Sequence, residues 1–139
     1  MSFTIKEASE KVGLSAHTIR FYEKQGLLPL LERDGTGYRT FTTHDIEWLD
    51  FISCLRKTDI PLTELKKIMD LTLEGNHTIE ARKEILLNHK EVMLEKQREL
   101  DRAFQKIEKK VRYFNHLKES TVNHTEPNLI FSCDSDEEI

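Results

Sequence analysis

Between Ile79 and Leu117 the chain carries neither glycine nor proline, a stretch far longer than the roughly 25 residues at which an ordinary globular helix stops. Ile79, Leu86, Met93, Leu100, Ile107 and Phe114 recur every seven residues, and Phe104 and Val111 follow Leu100 and Ile107 by four. That is the seam of a coiled coil. At about 1.5 Å per residue such a helix is roughly 60 Å long, and one copy would leave an apolar stripe in water. A homodimer is expected, paired through Leu100, Phe104, Ile107, Val111 and Phe114. Lys83, Lys90 and Gln97 interrupt the seam in its first half, which leaves that half free to pack on a partner's head instead.

The residues ahead of this helix supply the head. Thr4-Ile5-Lys6-Glu7 is a capping box that opens a first helix, with Ile5, Ala8 and Val12 on one face and Gly13 at its end. Ser15 can cap a second helix over residues 16 to 25, closed by Gly26 in a left-handed conformation. Two short helices joined by a tight turn read as a helix-turn-helix. On the second helix His17, Thr18, Arg20 and Tyr22 have the long or hydroxylated side chains that bond phosphates and base edges, with Ile19 and Phe21 as the anchors behind.

Leu30 to Arg33, the turn Asp34-Gly35-Thr36-Gly37 and Tyr38 to Phe41 read as a β-hairpin, a wing with Arg33 and Arg39 beside its tip. A solvated hairpin with ordinary surface arginines is the other reading of that segment. Thr42 or Thr43 can cap a third helix through about Lys57, bearing Ile46, Leu49, Ile52 and Leu55. Pro61 suits the first turn of a fourth, whose Leu62, Leu65, Ile68 and Met69 repeat until Gly75. The fold class expected is mainly α: a winged helix-turn-helix head over residues 1–75, a coiled-coil dimerisation helix over 76–119, and an acidic tail over 120–139, flexible or docked.

The net charge is −4, which argues against nucleic acid until the acids are located. Glu126, Asp134, Asp136, Glu137 and Glu138 lie in the tail with no Lys or Arg; removing those five from −4 leaves residues 1 to 119 at +1. Local placement of Lys and Arg governs electrostatic affinity, so specific contacts carry the binding. No apolar run approaches a membrane span, no export signal is visible, and Cys54 and Cys133 form no disulfide framework. A cytoplasmic protein is expected. No Gly-rich phosphate loop and no compact set of metal ligands occurs, so neither an enzyme nor a cofactor or metal is expected.

The order of parts, Arg20-Phe21-Tyr22-Glu23, Gly26-Leu27-Leu28, Gly37-Tyr38-Arg39, two further helices and a long dimer helix, resembles the MerR family of bacterial transcriptional regulators over about residues 3 to 118. Phe21 stands where the family often has a second Tyr. The resemblance implies that Arg20, Tyr22, Tyr38 and Arg39 contact promoter DNA, and that RNA polymerase is a partner. It also implies that a dimer bends and underwinds an over-long promoter spacer in response to a signal. Trp48 to Thr58, followed by Pro61-Leu62, is similar to the NmlR-like or AdhR-like subgroup that responds to reactive aldehydes or nitrosative stress. That similarity implies Cys54 as the sensor thiol; a buried cysteine filling an apolar gap is the other reading, and Cys133 could act as its resolving thiol. Two alternatives remain: the same DNA binding with a small non-covalent inducer held between head and dimer helix, and a coiled-coil interaction protein that does not bind DNA.

Overall fold

A computed structural model describes residues 1–120. Expectations about residues 121 to 139, including the flexible or docked acidic tail and Cys133, lie outside the described residues. The elements run β1 (Ser2–Phe3), α1 (Ile5–Val12), α2 (Ala16–Lys24), β2 (Glu32–Arg33), β3 (Arg39–Thr42), α3 (Thr43–Arg56), α4 (Leu62–Glu74), a 3-10 turn (Asn76–Thr78) and α5 (Ile79–Ser120). The chain divides into two compact units, residues 1–90 and the remainder. The first part of α5 therefore belongs to the head unit.

Local chemistry accounts for most of the boundaries. Thr4 and Glu7 form the capping box of α1: the Glu7 amide donates to Thr4 Oγ1 at 3.1 Å, and the Thr4 amide donates to Glu7 Oε1 at 3.0 Å. The same device, Thr42 with Asp45, opens α3. Gly13 ends α1 at φ 70°, a conformation that favours glycine. Pro61 sits one position earlier than expected, as the N-cap of α4 with φ −61° and ψ 143°, because an extended ψ directly before the helix suits its ring as well as the first turn does.

The strands make a small sheet in the order β1-β3-β2. The expected hairpin is there but shorter, with Glu32 opposite Thr40 and Arg33 opposite Arg39. The strand absent from the sequence reading is β1, which pairs Ser2 with Thr42 and Phe3 with Phe41. Phe41 is fully buried, together with Ile19, Leu27, Leu49, Ile52, Ile60 and Leu65. These side chains come from α2 and the turn after it, the wing base, α3, the α3–α4 turn and α4, and each contributes about 1.5–3 kcal/mol by leaving water. Leu86, from the start of α5, packs against the same cluster.

Two polar contacts hold the start of α5 to the head unit. The His89 Nε2 lies 2.9 Å from the Thr58 carbonyl and 3.0 Å from Thr58 Oγ1, whose own proton goes to the Leu55 carbonyl at 2.6 Å. His89 therefore carries a proton on Nε2. The Thr78 hydroxyl lies 2.6 Å from the Leu71 carbonyl and accepts from Arg82 Nε at 3.0 Å. In the second unit Leu100, Phe104, Ile107, Val111 and Phe114 are all more than half exposed, an uncovered stripe on an otherwise charged helix.

Candidate nucleic-acid interface

The recognition helix α2 is fastened at both ends. Ser15 Oγ accepts from the Thr18 amide at 3.0 Å and lies 2.9 Å from Thr18 Oγ1, so the Thr18 hydroxyl is engaged with the N-cap. At the other end the Leu27 amide donates to the Tyr22 carbonyl and the Trp48 indole Nε1–H donates to the Leu27 carbonyl at 2.7 Å. Gly26 takes φ +81°, and a Cβ there would lie 2.7 Å from Lys66 Cε.

Burial divides the helix differently from the sequence reading. Ile19 and Tyr22 are its buried residues, Tyr22 being 6% exposed, whereas Phe21 is 41% exposed. The expectation that Phe21 anchors the backside is overturned, and Tyr22 takes that place. The reason is spacing: Tyr22 follows Ile19 by three and shares its face, while Phe21 points away. The outward face is His17, Arg20, Phe21 and Lys24, all exposed at the i, i+3, i+4, i+7 rhythm. Sequence reasoning missed Phe21 and Lys24 on that face, and the same rhythm read outward from His17 would have found both.

The wing is built around one carboxylate. Asp34 Oδ1 accepts from the Thr36 amide at 2.9 Å, the Thr36 hydroxyl at 2.6 Å and the Tyr38 amide at 3.0 Å. Those donors hold its carboxyl below the ordinary aspartate range. Gly37, at φ 88°, completes the turn, and Tyr38 stands 73% exposed beyond it. Arg39 Nε donates to Glu23 Oε1 of α2 at 2.7 Å, and Arg33 Nη2 reaches the same oxygen at 3.4 Å. Glu23, which the sequence reading assigned no role, thus joins the wing to the recognition helix.

Arg20, Arg33, Tyr38 and Arg39 line one concave surface shared by Ser2 to Ile5, the first turn of α1 and the wing, with Glu7 and Asp34 also in its lining. His17 and Thr18 lie at the start of α2 and do not line it, nor does Tyr22. Cys54 is exposed on α3, so the reading of a buried cysteine filling an apolar gap is overturned. Among the described residues no group of three or more His, Cys, Asp or Glu is placed to hold a metal ion, and no helix is long and apolar enough to cross a membrane.

Comparison with known proteins bears on this arrangement directly. The sequence matches the MerR HTH family of regulatory proteins over residues 3–72. An uncharacterised HTH-type transcriptional regulator of Haemophilus influenzae is 37% identical over 85% of this chain and 87% of its own length. The HTH-type transcriptional regulator AdhR of Bacillus subtilis is 36% identical over 66% of this chain and 65% of its own. Among solved structures, HiNmlR, a MerR family regulator lacking the sensor domain and bound to promoter DNA, superimposes with a TM-score of 0.66 at 37% identity. That alignment covers 85% of this chain and 94% of that one. These relatives are transcriptional regulators. The family match over the head and the superposition on HiNmlR agree, and the chain belongs to the MerR family of helix-turn-helix transcriptional regulators.

Proposed function

We propose that the chain is a promoter-binding transcription regulator acting as a homodimer, with residues 1–75 as the DNA-binding head, 76–119 as the dimerisation helix and RNA polymerase as its functional partner. The observation that carries this reading is the concave surface lined by Arg20, Arg33, Tyr38 and Arg39, in a fold 37% identical to a protein solved on promoter DNA. His17, with Arg20, Phe21 and Lys24 on the outward face of α2, would meet the groove, Thr18 holds the N-cap, and Tyr22 supports from behind. Two copies paired along the uncovered Leu100 to Phe114 stripe present two heads and two wings to a near-palindrome. Their combined contacts offset the cost of bending and underwinding an over-long promoter spacer. A signal acts by favouring one arrangement of the heads on DNA over another.

For the signal, the exposed thiol of Cys54 supports a reactive electrophile as the input. Footprinting on the promoter upstream of its own gene tests the DNA reading: a discrete protected site, lost in Arg20→Ala and Arg39→Ala, is expected. A wild-type protein that protects no site sinks the reading. In vitro transcription with and without a reactive aldehyde, using wild type and Cys54→Ser, tests the thiol. A response confined to wild type is expected, and equal responses dismiss Cys54 as sensor.

A second reading of the signal, a small molecule bound without covalent chemistry, is supported by a cavity of about 550 Å³ in the head unit. It keeps the DNA binding and moves the input to that cavity.

A further inference from the structure

The cavity lies among the C-terminal end of the recognition segment, α3, α4 and the first turns of α5, all within the head unit. Its volume falls in the range of about 300–1,000 Å³ typical of small-molecule sites. Leu28, Ile68 and Met69 form a buried apolar floor. One wall is the Trp48 indole stacked on Phe51, centroids 5.1 Å apart and planes 19° from parallel. The indole N–H is already bonded to the Leu27 carbonyl, so Trp48 offers the cavity its apolar face and no donor.

Charge enters from one side. Arg82 and Lys83 both line the cavity. Arg82 is held by its Nε on Thr78 Oγ1 and its Nη2 on the Gly75 carbonyl at 3.2 Å. Its Nη1 makes no hydrogen bond among the described residues. Lys83 has one partner, Glu80 at 3.1 Å, and both side chains are more than half exposed, so that pair holds the ammonium weakly. A guanidinium fixed by two bonds with a spare arm, next to a mobile ammonium, above an apolar floor and an aromatic wall, complements an apolar body ending in one negative charge. His44, Asp45 and Glu47 of α3 also line the cavity, with His44 Nδ1 3.5 Å from Glu47 Oε2, and the two carboxylates disfavour a second negative charge on the ligand.

We propose that this cavity binds a small amphipathic monocarboxylate, its apolar part against Trp48, Phe51 and Met69 and its carboxylate on Arg82 and Lys83. The inference gives a ligand class and a site to the non-covalent reading above, and rests on that reading only for its consequence at the promoter. The route to DNA is short, because the Trp48 indole holds the carbonyl of Leu27, just beyond the end of α2. A ligand that displaces the indole therefore acts on the recognition helix.

Trp48 is the chain's single tryptophan, so its fluorescence in the full chain reads the site without DNA. 4-Phenylbutyrate is titrated beside the neutral 4-phenylbutanol and the cationic 4-phenylbutylamine. The expected result is a saturable change with the carboxylate and little with the other two. Lys83→Met should weaken the carboxylate roughly tenfold, the loss of one charge-assisted bond. Calorimetry on Phe51→Ala, which leaves Arg82 and its turn untouched, should show a similar loss for the apolar wall. Equal responses to acid and alcohol overturn the carboxylate. No response, or a change that follows protein dilution in place of ligand, overturns the site and gives the groove to a second copy of the chain. Footprinting in parallel keeps the two questions apart: a protected promoter with a silent Trp48 removes the ligand and leaves the regulator, and a responsive Trp48 without a protected site does the reverse.

Discussion

Arg39 and Glu23 lie sixteen positions apart in the chain, yet the Arg39 Nε donates to Glu23 Oε1 at 2.7 Å, and both side chains are 22% exposed. The pair means that the arginine expected to grip DNA also locks the wing to the recognition helix. Glu23→Ala removes the lock and leaves the arginine, whereas Arg39→Ala removes both. In binding titrations at fixed salt, Arg39→Ala should lose about 1–3 kcal/mol of DNA affinity and Glu23→Ala a smaller part of that. Thermal unfolding should show both variants lower by no more than about 1 kcal/mol. An equal loss of affinity in the two would mean that Arg39 acts only as a strut.

Phe21 and Tyr22 are adjacent aromatics with opposite duties. Tyr22→Ala should destabilise the fold by about 3–5 kcal/mol, as large-to-small changes in a packed core do. Phe21→Ala should shift the denaturation midpoint little and should instead alter the footprint, because its ring stands on the outward face. Urea melts of the two variants decide it, and a larger stability loss in Phe21→Ala would refute the division of the helix.

Gly26→Ala places a Cβ on a residue at φ +81°. Backbone strain of about 1–3 kcal/mol is expected, while the close Lys66 side chain is flexible and can move aside. The double variant with Lys66→Ala should therefore recover little of the lost stability. Full recovery would show that the side-chain clash, not the backbone, sets the cost.

The wing tip should loosen in acid. Hydrogen bonds from Thr36, with smaller help from the Tyr38 and Gly37 amides, lower the Asp34 carboxyl below its ordinary value. A folded pKa below the unfolded one contributes stability that is present above the unfolded value and is lost as pH falls through the folded one. An NMR titration should find Asp34 protonating at lower pH than an aspartate in an unstructured peptide, with the Thr36 and Tyr38 amides moving in step. Asp34→Asn should abolish that coupled movement.

Ile107→Glu puts a charge in the middle of the Leu100 to Phe114 stripe. Sedimentation should show the wild type as a dimer and the variant as a monomer, with the circular dichroism of the head retained. A wild-type monomer at micromolar concentration would remove the two-headed reading altogether.

What the chain disclosed in advance was whatever depends on neighbours in sequence. Thr4, Ser15 and Thr42 cap the helices expected of them, and Asp34 to Gly37 makes the expected turn, because a cap or a turn is settled within a few residues. Contacts between distant segments were not legible: Ser2 and Phe3 carry no sign of pairing with Thr42 and Phe41, and Glu23 none of a bond to Arg39. Phe21 and Tyr22 were misassigned because both are large aromatics, and hydrophobicity alone does not say which one faces inward. The cavity was equally hidden, since Leu28, Trp48, Met69 and Arg82 meet only when four elements pack.

Every buried residue of the described chain, from Ala8 to Thr78, precedes the first residue of α5, and the uncovered stripe begins only at Leu100. Chains are made from the N-terminus at about 5–20 residues per second, and domains fold as units while this proceeds. The head thus has its whole set of core side chains before the ribosome adds any of the stripe. Newborn stripes meet other molecules while tethered to heads that can already have closed, so their apolar residues have little chance to be absorbed into their own core.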